Sequence, residues 1–162
     1  MALSRSFAGP DDDGYFAAFR CWDGSDGKPW LEEVENYIRG ALLRQPDIYV
    51  LAFREEGQLV AVSAFYKRTI GLPALDPIDH DAWHLEVVAV GFDRQQEGLS
   101  REVLEQTLAV MWEADPERVL IVGVAHRDNR AAFAACSQIG LLKFVQRDEH
   151  YWVLVGELSG DA

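Results

Sequence analysis

The sequence contains few cysteines and no long apolar run. Its 162 residues include two cysteines, Cys21 and Cys136, which lie far apart and form no CxxC pair. This spacing indicates neither a metal site nor a disulfide framework, and it fits a reducing cytoplasm. No segment approaches the roughly 18 apolar residues that a membrane-spanning helix needs. The first residues also lack the apolar core of a signal peptide. We therefore expect a cytoplasmic protein with no membrane partner and no bound metal.

Basic residues are also scarce. Lys and Arg total 15 against 27 Asp and Glu, which gives a formal net charge of −12. Proteins that bind nucleic acid do so largely by neutralising phosphates with basic side chains. The charge argues against a nucleic-acid partner and favours a cationic one. A hydrophobic content of 49% is enough for one sizeable core, so we expect a single domain over residues 1–162.

Hydrophobic periodicity predicts two helices followed by a hairpin in the first third of the chain. "DDDGYFAAFRCW" predicts a short helix, and "WLEEVENYIRGALLRQ" predicts a longer one with Glu35 largely off its apolar stripe. "IYVLAFREEGQLVAVSAFY" then predicts two antiparallel strands joined at Gly57. The apolar stripes of the two helices comprise Tyr15, Phe16, Phe19 and Trp22, and Trp30, Val34, Ile38, Ala41 and Leu42.

Strands and helices alternate in the second half of the sequence. We expect a long loop over Gly71 to Ala82, because this segment holds two prolines and three aspartates. A strand from about Trp83 to Val90 follows, then a helix that ends at "DP". "RVLIVGVAH" is typical of a buried strand, and "NRAAFAACSQIGL" of a helix with Asn129 or Asp128 as its cap and a glycine at its end. "KFVQRDEHYWVLVGEL" predicts a terminal hairpin that turns at "RDEH".

The stretch "RQQEGLSREVLEQ" leads from a strand through a glycine-containing turn into a helix. Such a turn leaves backbone N–H groups unpaired at the positive end of the helix dipole, which suits a phosphate or pyrophosphate. The spacing Gln95-x-x-Gly98-x-Ser100 lacks the GxGxxG of dinucleotide folds and the Gly-Lys-Ser/Thr of P-loops, so it disfavours both classes. The alternative interpretation is that Gly98 only allows the chain to reverse direction and that the turn binds no anion.

Two motifs resemble those of the GNAT superfamily of N-acetyltransferases. "VAVGFDRQQEGLS" resembles the acyl-CoA-binding motif Q/R-x-x-G-x-G/A, and "NRAAFAACSQIGL" is similar to the later motif N-x-x-A-x-x-x-Y-x-x-x-G-F. The resemblance covers Leu85 to Leu141. Three positions depart from the family pattern: Ser100 replaces Gly or Ala, Phe92 replaces a frequent Pro, and Cys136 replaces a Tyr that often protonates the departing thiolate.

The resemblance implies a fold and a cofactor. The fold is a mixed α/β (α+β) domain with the order β-α-α-β-β-β-α-β-α-β-β, whose central sheet is splayed between its fourth and fifth strands. The cofactor is acetyl-CoA, with its pantetheine in the V-shaped gap and its pyrophosphate on the backbone of Gln95 to Ser100. The residues expected to bind it are Val88, Val90, Gln95, Gln96, Glu97, Gly98, Leu99, Ser100, Arg101 and Asn129.

Acyl transfer from a thioester needs a neutral amine, a polarised carbonyl and a proton for the thiolate. His84 and Glu86 lie two residues apart on one strand and therefore share a face. Either can act as the base, directly or through water, and we favour Glu86; the alternative is that both serve packing and ion pairing. Cys136 is a candidate proton donor, although a small thiol on a helix face is more often part of the core.

The sequence therefore predicts an N-acyltransferase. It would move an acetyl or other short acyl group from acetyl-CoA to a primary amine of a small cationic molecule or of a protein, such as a polyamine, an aminoglycoside or a lysine side chain. One alternative is a non-catalytic acyl-CoA-binding or interaction domain of the same fold. Another is a toxin-like acetyltransferase acting on charged tRNA, against which the net charge of −12 argues. A homodimer is left open.

Overall fold

The computed structural model describes residues 3–72 and 76–159. The order of its elements is that expected from the sequence, and three short 3₁₀ turns lie between them. The strands and helices are β1 (Ser4–Phe7), α1 (Asp13–Ala18), α2 (Pro29–Gly40), β2 (Tyr49–Glu55), β3 (Gln58–Leu72), β4 (Asp76–Val90), α3 (Leu99–Ala114), β5 (Leu120–His126), α4 (Arg130–Gln138), β6 (Leu142–Gln146) and β7 (Tyr151–Glu157).

The seven strands form one mixed sheet in the order β1-β2-β3-β4-β5-β7-β6. β1 pairs antiparallel with β2, and β7 pairs antiparallel with both β5 and β6. β4 and β5 are parallel, and their pairing runs from Ala82 opposite Leu120 to Leu85 opposite Gly123. A parallel pair requires a crossover connection, and α3 supplies it. The sheet is therefore mixed and mostly antiparallel, and the mixed sheet was expected.

The chain divides into two compact units, each with its own buried side chains. The first unit comprises residues 1–64 and 87–103, and the second comprises residues 65–86 and 104–162. In the first unit, apolar side chains of α1, of the residue that follows it and of α2 pack with those of the strands: Phe16, Phe19, Ile38, Val50, Val62 and Val87. In the second unit, the rings of Phe65 and Trp83 meet edge to face with centroids 5.4 Å apart. Met111, Ile121 and Leu141 of the second unit are buried as well.

The predicted loop over Gly71 to Ala82 is wrong. β3 extends to Leu72 and β4 begins at Asp76, so most of this segment is strand, and residues 73–75 lie outside the described residues. Proline is tolerated at the start of a strand, where its missing N–H disturbs little pairing. Pro77 is the second residue of β4.

The first two helices also differ in detail from the prediction. α1 ends at Ala18, so Trp22 lies beyond it, and Leu42 belongs to the 3₁₀ turn after α2. Glu35 was placed off the apolar stripe of α2, yet it is buried. Its carboxylate accepts hydrogen bonds from the backbone N–H groups of Cys21 and Trp22, at 2.9 Å and 3.0 Å, which satisfies it inside the protein.

Among the described residues, no helix is both long enough and apolar enough to cross a membrane.

Candidate functional site

The turn between β4 and α3 is anchored by backbone hydrogen bonds within the first unit. The Gly91 N–H donates to the carbonyl of Val60 at 2.7 Å, and the Phe92 N–H donates to that of Arg20 at 2.8 Å. A Cβ atom on Gly91 would lie 3.1 Å from the Val60 oxygen, closer than nearly all Cβ contacts. A larger residue at this position would therefore push against the main chain of β3.

The side chain of Gln95 holds the same turn. Its amide Nε2 donates to the carbonyl oxygens of Cys21, at 2.6 Å, and of Val90, at 3.1 Å. Gln95 was predicted to bind the cofactor, and in the structure its side chain binds the main chain. Val90 is buried at the end of β4 and Val88 is half-buried. Gln95 and Val90 thus shape the backbone that carries the next five residues.

Residues 96–100 present their backbone N–H groups in succession. Gln96 and Gly98 have positive φ angles of 73° and 77°, and α3 begins at Leu99. Within the part of the chain that the structure describes, the N–H groups of Gln96, Glu97, Gly98, Leu99 and Ser100 have no hydrogen-bond acceptor. They lie at the N-terminus of a 16-residue helix, where the helix dipole is positive. This geometry suits an anion.

Most of the charged side chains around the turn form ion pairs with one another. Arg94 forms ion pairs with Glu55 and Glu97, the second at 2.8 Å. Hydrogen bonds to Glu55 and Glu97 raise the pKa of Arg94, and the hydrogen bond from Arg94 lowers the pKa of Glu55. Arg101 is exposed in the first turn of α3. Anion binding at this turn therefore depends on the backbone more than on Arg94.

His84 and Glu86 meet on β4 within the second unit, as their spacing predicts. The Nε2 atom of His84 lies 3.2 Å from a carboxylate oxygen of Glu86. His84 is only 8% exposed, whereas the Glu86 side chain is 31% exposed. Among the described residues, the buried Nδ1 atom of His84 has no hydrogen-bond partner. A buried imidazole nitrogen without a partner is uncommon, because burying an unsatisfied polar atom costs free energy.

Tyr66 of β3 is a neighbour that the sequence did not reveal. Its ring lies against the imidazole of His84, with centroids 4.8 Å apart and planes inclined at 33°. Strand alternation places His84 and Glu86 on one face, but it cannot specify which residue of β3 lies opposite. That depends on the register of the β3–β4 hairpin. The only sequence signal was an aromatic residue on the neighbouring strand.

α4 carries two further predicted residues in the second unit. The side-chain oxygen of Asn129 accepts a hydrogen bond from the Ala132 N–H at 3.1 Å, so Asn129 caps the helix as expected. Cys136 is buried, and burial raises its pKa to about 11. The thiol therefore remains protonated at neutral pH and is a weak acid. In this structure Asn129 caps a helix and Cys136 is part of the buried interior.

The first unit also contains an open groove of about 550 Å³. Its lining combines the carboxylates of Asp11 and Asp93 with the rings of Tyr15 and Phe92, each of which is about half exposed. Carboxylates and exposed ring faces both attract cations. Within the described part of the chain, no cluster of three or more His, Cys, Asp or Glu side chains is arranged to hold a metal ion.

Solved structures with a similar fold include toxins. A tyrosine-to-phenylalanine mutant of the AtaT toxin, bound to the C-terminus of the antitoxin AtaR and acetyl-CoA, matches with a TM-score of 0.73 and 15% identity, over 96% of this chain and 93% of that one. A tyrosine-to-phenylalanine mutant of KacT matches with a TM-score of 0.74 and 16% identity, over 98% of this chain and 96% of that one. The chain has the GNAT fold. AtaT complexed with acetyl-methionyl-tRNAfMet also matches, with a TM-score of 0.69, 15% identity and coverage of 94% of each chain.

The GNAT fold is recognisable here by structure and not by overall sequence similarity. No protein-family profile matches the sequence, and no curated protein matches it either. At about 15% identity, a common fold still preserves the path of the backbone, whereas side chains at the site can differ. Function in this GNAT-fold chain therefore has to be argued from its own residues.

Proposed function

We propose that this chain is an acyl-CoA-dependent N-acyltransferase. It transfers an acetyl or other short acyl group from acetyl-CoA to a primary amine on a small cationic molecule or a protein. The observation that carries this proposal is the run of five backbone N–H groups, from Gln96 to Ser100, at the N-terminus of α3. These groups would hold the pyrophosphate of the cofactor, because they have no acceptor among the described residues and lie at the positive end of the helix dipole.

Residues beyond the turn are assigned to the cofactor from the motif resemblance. Val88 and Val90 would offer the backbone of β4, and Arg101 would lie near the cofactor's polar groups. Asn129, the cap of α4, is assigned to the cofactor by the resemblance alone. Asn129 keeps its amide N–H groups for this purpose, since only its oxygen serves the helix cap. Gln95 acts indirectly, because its side chain fixes the turn through Cys21 and Val90.

The second requirement is a group that removes a proton from the amine. At neutral pH an alkylamine carries a proton and cannot attack the thioester. His84, which is buried, and Glu86, which is partly exposed, are in contact, with 3.2 Å between Nε2 and the carboxylate oxygen. This pair is the base in the proposed reaction.

The third requirement is a proton for the thiolate that leaves. Cys136 occupies the family's tyrosine position, but with its pKa raised to about 11 by burial it gives up a proton poorly. We propose that solvent supplies this proton and that Cys136 belongs to the core. The enzyme therefore does not depend on a dedicated acid.

The first experiment is calorimetry with acetyl-CoA on wild type and Gly98→Val. We expect wild type to bind in the micromolar range, on the order of −8 kcal/mol. Gly98 has open space around it but a φ of +77°, which a β-branched residue rarely adopts. The variant should lose at least about tenfold in affinity because the N–H groups of the turn are reoriented.

Gly24→Val is the matched control. Gly24 has a φ of +82° and open space around it, in an exposed loop. The Gly24→Val variant should have the same local backbone strain as Gly98→Val, but its affinity for acetyl-CoA should equal that of wild type. Unchanged affinity in a folded Gly98→Val protein would show that the cofactor site has been assigned to the wrong turn.

A native mass spectrum then tests the chemistry. Wild type would be incubated with acetyl-CoA and a pool containing a polyamine, an aminoglycoside and a lysine peptide. An enzyme should produce at least one acetylated amine together with free CoA. If acetyl-CoA binds but no amine is acetylated, the second candidate below or a non-catalytic acyl-CoA-binding domain replaces the proposal.

The second candidate is acetylation of the amino group of a charged tRNA. It is favoured by the similarity in fold to AtaT, whose structure contains acetyl-methionyl-tRNAfMet. The net charge of −12 weighs against it, since docking tRNA needs a positive surface. Charged tRNA should therefore be tested as a separate acceptor across a salt series. Acetylation that falls steeply with added salt would favour this candidate over a small amine.

The proposal also includes a cellular compartment and an oligomeric state. We place the protein in the cytoplasm, because its free cysteines, Cys21 and Cys136, are stable thiols in a reducing compartment. A homodimer is an additional proposal that size-exclusion chromatography with light scattering tests directly.

A further inference from the structure

The groove in the first unit lies between α1, the start of β3 and the segment that follows β4. We propose that it binds an aliphatic cation with two or more ammonium groups, such as a linear polyamine, at the carboxylates of Asp11 and Asp93. This binding does not depend on the proposed acyl transfer, because it needs neither acetyl-CoA nor a reaction of the bound cation.

The size of the groove suits a small molecule. Its volume is about 550 Å³, and sites for small ligands usually measure roughly 300–1,000 Å³. Every residue that lines it belongs to the first unit. The groove is therefore complete within one compact part of the chain.

Two carboxylates in the groove are unpaired. Across the ranges that the structure describes, the side chains of Asp11 and Asp93 have neither an ion-pair nor a hydrogen-bond partner. Asp11 is not needed to cap the turn before α1, because the side chain of Asp12 accepts the hydrogen bond from the Gly9 N–H at 2.9 Å. One exposed carboxylate without a partner is ordinary, but here two from distant parts of the sequence line the same groove.

The arginines near the groove are already paired with other carboxylates. Arg20 lines the groove, and its guanidinium donates a hydrogen bond to Glu35 at 2.8 Å. Arg54 pairs with Asp12. The charges of Asp11 and Asp93 are thus left without a matching cation from the protein. A ligand with two ammonium groups supplies the charge that is missing.

Two aromatic rings favour an organic cation over an inorganic one. Tyr15 and Phe92 line the groove and are 49% and 50% exposed. The guanidinium carbon of Arg54 lies 5.5 Å from the centre of the Tyr15 ring, so this ring already attracts one cation. The methylene groups of a polyamine can pack on such rings and remove apolar surface from water. Its ammonium groups then remain available to the carboxylates.

A metal ion uses these groups less well. Magnesium and calcium take roughly six to eight oxygen ligands, whereas the groove offers two carboxylates. No group of three or more His, Cys, Asp or Glu side chains in the described ranges can hold a metal. A metal ion would also leave the rings of Tyr15 and Phe92 exposed to water. The polyammonium ligand is the one that uses both the charges and the rings.

Calorimetry with spermidine, without acetyl-CoA and at low salt, tests the proposal. Asp11→Asn and Asp93→Asn should each weaken binding by about twofold to fivefold, and the double substitution by roughly tenfold or more, because each removes one exposed ion pair. Phe92→Leu should weaken binding by about twofold to fivefold, because the leucine side chain has no aromatic face for the cation. A diol of the same chain length should not bind.

The matched control is the double variant Asp13→Asn/Asp26→Asn. It removes the same two charges from exposed positions of the first unit that do not line the groove. This control is needed because a net charge of −12 attracts any cation. The control variant should bind spermidine as tightly as wild type. Thermal melting of each variant checks that it is folded.

Four results would overturn the inference. Wild type may not be left without measurable spermidine binding, and the groove double variant must not retain wild-type affinity. An equal loss in the groove and control variants would show only a general attraction to net charge. Magnesium binding that disappears in the groove variant would make this a metal site. The acyltransferase proposal is tested separately by acetyl-CoA binding and amine acetylation, so either proposal can fail while the other stands.

Discussion

Cys136 is where a single residue departs most from the GNAT motif. The family motif often has a tyrosine at this position, whereas the Cys136 thiol is buried and its pKa rises to about 11. The sequence already favoured a core role for this side chain, on the grounds that small thiols on helix faces are usually packed. The burial agrees with that preference, and two measurements test it.

Replacing Cys136 with alanine should lower stability and leave turnover unchanged. Removal of a buried sulfur leaves a small cavity and should reduce the free energy of unfolding by about 1 kcal/mol. Ser137→Ala, at an exposed position on the same helix, should change neither quantity. Thermal melting and initial rates on the same preparations are the measurements. Normal stability with lost activity would identify Cys136 as the catalytic acid.

Both cysteines should resist alkylation in the folded protein. Burial raises the pKa of Cys21 to about 12 and that of Cys136 to about 11. At pH 8 about one thiol in a thousand or fewer is then a thiolate, the form that reacts. Iodoacetamide should label neither residue in the native state and both after unfolding, as read by mass spectrometry. Rapid native labelling of Cys136 alone would contradict its burial.

At the scale of elements, α2 is held in the first unit by the buried carboxylate of Glu35. Besides the N–H groups of Cys21 and Trp22, Glu35 accepts a hydrogen bond from Arg20 at 2.8 Å. Burial acts to raise the pKa of Glu35, but its hydrogen bonds from Trp22, Arg20 and Cys21 together hold it below the usual value. The carboxylate therefore joins α2 to the segment that follows α1.

Glu35→Gln should destabilise the protein by about 1.5–3 kcal/mol, the usual value of a hydrogen bond to a charged group. Because folding lowers the pKa of Glu35, its contribution is present above the ordinary carboxyl pKa and is lost as pH falls through the folded value. The difference between wild type and variant should accordingly shrink in acid. Urea unfolding at neutral pH and near pH 3 measures this.

Glu32→Gln, on the exposed side of the same helix, is the control and should have little effect at either pH. A Glu35→Gln protein as stable as wild type at neutral pH would mean that the buried carboxylate does not anchor α2.

Some elements were predictable from the sequence because their signals are local. The Asn129 cap, the glycine after α4 and the "RDEH" turn each depend on residues close together in the chain. The burial of Glu35 was not predictable, because its partners at Arg20 to Trp22 lie 13 to 15 residues away. The β3–β4 hairpin was mistaken for a loop because prolines and aspartates disfavour strands on average, although a strand tolerates proline at its start.

In the candidate site, too, the local features were predictable from the sequence and the contacts between remote residues were not. Strand alternation placed His84 and Glu86 together, and the motif spacing identified the turn at residues 95–100. The sequence did not predict that Gln95 would bind the main chain or that Tyr66 would cover His84. Both contacts join residues that are remote in sequence, and they depend on the register of the sheet and the path of the turn.

At the scale of the whole molecule, the two units are interleaved along the chain. The boundaries at residues 64, 86 and 103 fall inside β3, β4 and α3. A domain boundary usually lies in an exposed linker, and none of these does. We therefore propose that residues 1–162 behave as one domain. Calorimetry should give a single transition with equal calorimetric and van't Hoff enthalpies, and two resolved transitions would refute this.

The interleaving also matters while the protein is being made. A ribosome that adds roughly 5–20 residues per second has released every residue of the first unit once residue 103 has left the exit tunnel. The second unit still lacks all of β5, α4, β6 and β7 at that time, and β4 has no parallel partner. The edge of β4 that later pairs with β5 is then open to other nascent chains. We expect this stage of synthesis to be the point at which chaperones bind the growing polypeptide.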